Sequence, residues 1–247
     1  MKDTAHFPKG FLKRSADRIL MLIYPSRCPV CDRPVRPYTG LICMPCLKTL
    51  KANEYPWCEK CGKKVLTAQR ICHDCTERGH SFERCRSALE YRCISKAVYR
   101  FKYMGRREYS KAFAKMSIAV LGDYIYGIKP DVIVPVPISS KRMFKRGYNQ
   151  AYEYAKELSG ITGIPVYDDA VRRIKDTRPM KLLTPKERQK NLKNAFLCGK
   201  NVVKSKSILL VDDIYTTGST LDAVSEVLLG AGAEKVYGLT LSSGTGV

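Results

Sequence analysis

Eight cysteines in four C-x-x-C pairs limit what this chain can fold into: Cys28/Cys31, Cys43/Cys46, Cys58/Cys61 and Cys72/Cys75. A two-residue gap lets both thiolates of a knuckle face one ion. Two knuckles complete a tetrahedral four-sulfur site, which suits zinc and leaves no open position for catalysis. The pairs also repeat. Cys28 and Cys31 recur 30 residues later as Cys58 and Cys61, and Cys43 and Cys46 recur 29 residues later as Cys72 and Cys75. The two units, CPVCDRPVRPYTGLICMPC and CEKCGKKVLTAQRICHDC, each carry an Asp or Gly directly after the first pair.

A disulfide framework is the chemical competitor, and an iron–sulfur cluster is a second. Disulfides belong to oxidising compartments. The longest early apolar run, Ile19 to Tyr24, is too short to span a bilayer, and no small-residue cleavage site follows it. The chain is therefore expected to be soluble and cytoplasmic, and the repeated ribbon-like units favour two structural zinc ions. Ligation is either sequential (28/31/43/46, then 58/61/72/75) or crossed; the repeat favours sequential. Residues 28–80 hold few large apolar side chains, so the metal must supply folding energy. His73 and His80 stand beside complete four-cysteine sets and need no ligand role. Cys85, Cys93 and Cys198 are expected to be ordinary small buried residues. Phe11 to Ile23 reads as a short helix stopped by Pro25.

With 247 residues and 45% hydrophobic side chains the chain can bury a core, which excludes wholesale disorder. Its 44 Lys+Arg against 23 Asp+Glu leave a formal charge of +21. Eight thiolates and two Zn²⁺ would lower that to about +17. The surplus is uneven. Residues 172–193 carry 9 basic and 2 acidic side chains, whereas 207–247 carry Lys235 against Asp212, Asp213, Asp222, Glu226 and Glu234. Such a surplus points to polyanionic or phosphate-rich partners.

After residue 85 strands alternate with helices. Strands are expected at Ser87–Arg92, Asp131–Pro137, Val166–Ile174, Ser207–Val211 and Lys235–Leu241. Helices are expected at Ser95–Tyr103, Glu108–Tyr126, Asn149–Leu158 and Ser219–Leu229. A further helix runs from the capping box Thr184-Pro185-Lys186-Glu187 toward Ala195. The β-branched run DVIVPVP reads as a strand buried on both faces. The alternation predicts an α/β fold with a parallel sheet, whose ligands sit at the carboxyl ends of the strands.

One strand end carries chemistry: Ile208-Leu209-Leu210-Val211-Asp212-Asp213-Ile214-Tyr215-Thr216-Thr217-Gly218-Ser219-Thr220. Two carboxylates leave a buried strand, a hydroxyl-rich turn with one Gly follows, and then a helix begins. Backbone N–H groups of the turn make an anion cradle. The carboxylates accept from sugar hydroxyls or from water on Mg²⁺. A ribose 5-phosphate fits both halves.

This segment resembles the phosphoribosyl pyrophosphate (PRPP) signature of type I phosphoribosyltransferases. Together with FKYMG (101–105), VPVPISSKRMFKRGYNQA (134–151), RIKDTRPMKLLTPKERQKNLKNAF (173–196) and the paired knuckles, it resembles the ComF family of competence and DNA-uptake proteins. The resemblance implies a type I phosphoribosyltransferase-like parallel sheet flanked by helices over 83–247, a double zinc ribbon over 27–82 and a helical segment over 1–26. It implies that Asp212 and Asp213 are the catalytic carboxylates and bind the ribose hydroxyls. Thr216, Thr217, Gly218, Ser219 and Thr220 would hold the 5-phosphate. The loop bearing Ser139, Ser140, Lys141 and Arg142 would face the pyrophosphate, with Mg²⁺ accompanying PRPP. Residues 175–183 fall where the type I fold has its mobile active-site loop; Met180 stands where relatives often carry Gln.

The first function this suggests is PRPP binding in the uptake of transforming DNA. Basic surfaces would hold single-stranded DNA, and a DNA-uptake helicase or another competence protein would be a partner. A working phosphoribosyltransferase in nucleotide salvage and a PRPP-sensing adaptor without turnover stand beside it.

Overall fold

Long apolar runs form the centre of the sheet, because only a strand covered on both faces can hide every side chain. The computed structural model describes residues 25–35, 40–53, 56–65, 69–175, 192, 194–199 and 207–244. The expected helix at Phe11–Ile23, most of the one after Thr184, and residues 176–183 lie outside these. Each cysteine unit contributes one short helix, α1 (Met44–Leu47) and α2 (His73–Arg78). Then follow β1 (Cys85–Glu90), α3 (Tyr91–Tyr103), α4 (Tyr109–Ile128), β2 (Val132–Pro135), α5 (Ser140–Arg146) and α6 (Gln150–Thr162). The chain continues through β3 (Val171–Arg173), β4 (Phe196–Cys198), β5 (Ser207–Tyr215), α7 (Ser219–Gly230) and β6 (Lys235–Ser243).

The main sheet has the order β1-β6-β5-β2, and every pair in it is parallel. β3 and β4 form a separate antiparallel pair. Ile208 to Val211 are fully buried, as are Val236 and Leu239 on β6. Each such Leu, Ile or Val contributes roughly 1.5–3 kcal/mol by leaving water. One face packs on α3, α4 and α6 through Phe101, Phe113, Tyr154 and Leu158. The other packs on α7 and on the second cysteine unit through Leu221, Val224, Phe82 and Cys61.

Three sequence expectations need correction. Lys141 to Arg146 lie in a helix, not a loop, because Ser139 caps it by accepting from the Arg142 N–H and Gly147 ends it in a left-handed conformation. Val166–Ile174 is not one strand: Val166 makes an isolated parallel bridge to Ile133, and the strand proper starts at Val171. Of the three remaining cysteines only Cys85 is buried, while Cys93 is half-buried and Cys198 exposed.

Candidate functional site

The four thiols of each unit converge. Cys28, Cys31, Cys43 and Cys46 form one tetrad, and Cys58, Cys61, Cys72 and Cys75 the other, with sulfurs inside each set within 4.8 Å. The arrangement is therefore sequential. A tetrahedral ion with 2.3 Å bonds to sulfur requires S···S separations of about 3.8 Å. The pairs Cys31–Cys43 and Cys28–Cys43 stand at 3.7 Å, Cys58–Cys75 at 3.7 Å and Cys61–Cys72 at 3.6 Å. Both tetrads fit zinc. In the second, the Cys72 N–H donates to Cys58 Sγ at 3.3 Å, a bond that favours thiolate. Hydrogen bonding from Cys75 holds the Cys61 thiol down to about 5.

The second tetrad is built into the α/β body. Gly62 takes φ 72°, and a Cβ there would lie 2.7 Å from the Cys85 carbonyl oxygen, so only glycine lets the knuckle lie on β1. The Cys85 N–H donates to the Lys60 carbonyl at 2.7 Å. Arg86 is buried between the knuckle and the sheet. Its guanidinium donates to the carbonyls of Cys58, Glu59 and Cys85 and lies over the Trp57 and Tyr124 rings. The first tetrad meets the body through side chains instead. Tyr109 donates to Asp32 Oδ1 at 2.5 Å, Arg106 pairs with Asp32 Oδ2 at 3.2 Å, and Arg100 donates to the Val30 carbonyl. Burial works against the Asp32 carboxylate, but the Tyr109 hydroxyl and the Arg106 charge hold it below its ordinary value.

The second constellation lies at the carboxyl ends of β2 and β5. These strands are neighbours, with Pro135 opposite Val211, so the turn into α5 stands beside Asp212 and Asp213. Ser139 is buried there as the α5 cap, while Ser140 and Lys141 are exposed and Arg142 half-buried. Asp213 is buried, and its Oδ2 pairs with Lys102 Nζ at 2.8 Å. The Asp213 N–H donates to Asp212 Oδ1 at 2.8 Å. Asp212 is half-buried, and its carboxyl is pushed up to about 7 by burial first and by the Asp213 charge second; Lys102 opposes the rise. Lys102 comes from the FKYMG block, to which the sequence reading assigned no role.

Beyond the carboxylates the chain turns through Thr216 and Thr217 into α7. Gly218 takes φ 79°, and a Cβ there would lie 2.7 Å from both the Tyr215 hydroxyl and His80 Cε1. Among the described residues no side chain caps α7. Its first N–H groups therefore remain for an anion, with the Thr217 and Ser219 hydroxyls 2.9 Å apart beside them.

His80, expected to have no metal-ligand role, holds a place behind this loop instead. It is buried behind the phosphate-type loop, with Nδ1 2.8 Å from Asp222 Oδ2 on α7 and Nε2 3.3 Å from the Tyr215 hydroxyl. It stacks on Phe82 at 4.6 Å. The Ser81 N–H donates to Asp222 Oδ1 at 3.0 Å, and the Ser81 hydroxyl to Glu226 at 3.2 Å. Two carboxylates of the acidic C-terminal segment thus serve this seam rather than the ligand side.

The chain matches the double zinc ribbon domain family over residues 19–76 and the phosphoribosyl transferase domain family over residues 106–242. It is 30% identical over 223 residues to Competence protein F of Haemophilus influenzae, covering 88% of this chain and 96% of that protein. The chain belongs to the ComF family. Two further relatives agree. Competence protein ComFC of Bacillus subtilis is 30% identical over 209 residues, covering 81% of this chain and 83% of that protein. DNA utilization protein YhgH of Escherichia coli K12 is 28% identical over 220 residues, covering 87% and 96%. Paired four-cysteine ribbons followed by a parallel-sheet phosphoribosyl transferase domain are thus the ComF architecture in this chain. Among the described residues no helix is long and apolar enough to cross a membrane.

Proposed function

We propose that this ComF protein binds PRPP with Mg²⁺ and handles single-stranded DNA on the cytoplasmic side during DNA uptake. A helicase or another competence protein would be its partner. One observation carries the PRPP reading: the Asp212–Asp213 carboxylates, an uncapped helix start and the basic α5 turn meet at one sheet edge. Asp212 and Asp213 would take the ribose hydroxyls, Lys102 yielding its place on Asp213 to the diol. Thr216, Thr217, Gly218, Ser219 and Thr220 would hold the 5-phosphate. Ser139, Ser140, Lys141 and Arg142 would face the pyrophosphate. The carboxylates and the ligand's phosphates are hard oxygen donors of the kind Mg²⁺ takes. Negative charge beneath the sugar and positive charge beside the leaving pyrophosphate match the charge that develops as the anomeric bond stretches.

PRPP with Mg²⁺ should raise the melting temperature, and Asp212→Asn with Asp213→Asn should abolish the rise. A rise that survives in the double variant would overturn the site. Transfer of ribose 5-phosphate to an acceptor is a second reading, favoured by Asp212, whose carboxyl titrates near neutrality. Pyrophosphate release from PRPP, screened with bases, nucleosides and DNA as acceptors, tests it.

A further inference from the structure

The solvent side of α3 is a mixed stripe of cations and aromatic rings. Arg92, Lys96, Tyr99 and Tyr103 are all exposed, at spacings of four, three and four residues that place them on one face of the helix. At 1.5 Å per residue the stripe is about 16 Å long. The helix, YRCISKAVYRFKY, contains no Asp or Glu. Tyr99 and Tyr103 are 57% and 46% exposed, with ring centroids 5.1 Å apart.

The stripe continues onto α5. The Arg146 guanidinium lies 5.1 Å from the Tyr103 ring centroid and donates to its hydroxyl at 3.4 Å. Arg146 closes α5, SKRMFKR, which also lacks acidic residues. Lys141 and Lys145 are exposed on the same helix. An aromatic ring left in water is costly unless something covers it. Here the rings lie beside cations at both ends, so the cover must bring flat apolar faces and negative charge together. Unpaired bases on a phosphate backbone do so. Duplex bases do not, because they are already stacked on one another. The stripe ends where Lys102, the residue before Tyr103, meets Asp213.

We infer that the face formed by α3 and α5 docks single-stranded nucleic acid. Bases stack on Tyr99 and Tyr103, and phosphates lie against Arg92, Lys96 and Arg146. This rests on the DNA-handling reading above and adds the surface and the mode of contact. Base–aromatic stacking tolerates any sequence, because every base has a π-face.

The test is fluorescence anisotropy of the zinc-loaded full chain with a labelled oligothymidine. Tyr99→Ser and Tyr103→Ser combined should weaken binding at least tenfold at constant zinc content and circular dichroism. Arg92→Gln with Lys96→Gln should make the salt slope shallower by about 1.4, near 0.7 for each lost phosphate contact. A duplex of equal length should bind more weakly than the single strand. Photo-crosslinking with an iodouracil oligonucleotide should mark Tyr99 or Tyr103. A parent that binds and a double tyrosine variant that binds equally well overturn this surface alone. So do crosslinks confined to the ribbon. A parent that binds no single strand overturns the DNA-handling reading itself, and this surface with it.

Discussion

Asp32 and Gly62 stand at the same place in the two zinc knuckles, directly after the second cysteine, and both take a left-handed backbone, with φ of 62° and 72°. The knuckle needs that turn whatever follows it. What differs is the seat. At Gly62 the body's backbone arrives within 2.7 Å of any Cβ, so the side chain is excluded. At Asp32 the body arrives as Tyr109 and Arg106, so a carboxylate is useful and tolerates the left-handed region better than most residues. Cys58, Cys61 and Cys75 belong to the same buried cluster as Phe82, Tyr215 and Leu221. In the first tetrad only Cys28 is buried. One ribbon is part of the core; the other is attached to it.

The largest expected effect separates the two directly. Cys58→Ser should lower the melting temperature of the whole chain by more than about 10 °C or yield insoluble protein, because structural zinc carries much of the local folding energy. Cys28→Ser should lose one zinc by elemental analysis and shift the main transition by less than about 5 °C. Equal losses would break the contrast. A subtler consequence follows from the seam behind the phosphate-type loop. His80→Ala should weaken PRPP about tenfold, near 1.4 kcal/mol, seen as a smaller ligand-induced rise in melting temperature. Asp32→Ala should leave that rise intact. Were both to behave alike, the second ribbon would not be the one coupled to the site.

The smallest effect is in pH, and it traces to Asp212. The Asp212 carboxyl sits at about 7 in the fold against an ordinary 3.8. A raised acid contributes stability that is full below its unfolded value and is lost as pH rises through the folded one. Without ligand, the melting temperature should therefore fall between about pH 4 and pH 7. Asp212→Asn should flatten that slope, by roughly 1–2 kcal/mol after discounting for solvent screening. Thermal scans across that range in Asp212→Asn and Cys28→Ser check it; only the first should lose the slope.

Much of this was legible in the residues. Buried strands read as unbroken apolar runs, as at Ser207 to Val211, and paired cysteines announce their partners by spacing. The strand end at Asp212 was visible because its chemistry is contiguous in the chain. What stayed hidden depends on residues brought together by folding. Lys102 gains its role only through Asp213, and His80 through Asp222, 142 residues away. The α5 helix was hidden for a different reason. It has no buried face to give it an apolar period, and its one signal was Ser139 as a cap before a basic run.

The order of the main sheet also bears on how the chain is made. β1 follows the second ribbon immediately and is bridged on one side by Ala52 at Leu89, but its sheet neighbour is β6, and its Ser87 hydroxyl reaches Thr240 at a separation of 153 residues. During synthesis the second tetrad can load zinc long before its seat exists. Until the last strand emerges, β1 presents an unpaired edge and the ribbon an uncovered apolar flank. A ribosome that stalls before Lys235 would release a metal-loaded but uncovered ribbon, open to aggregation or proteolysis.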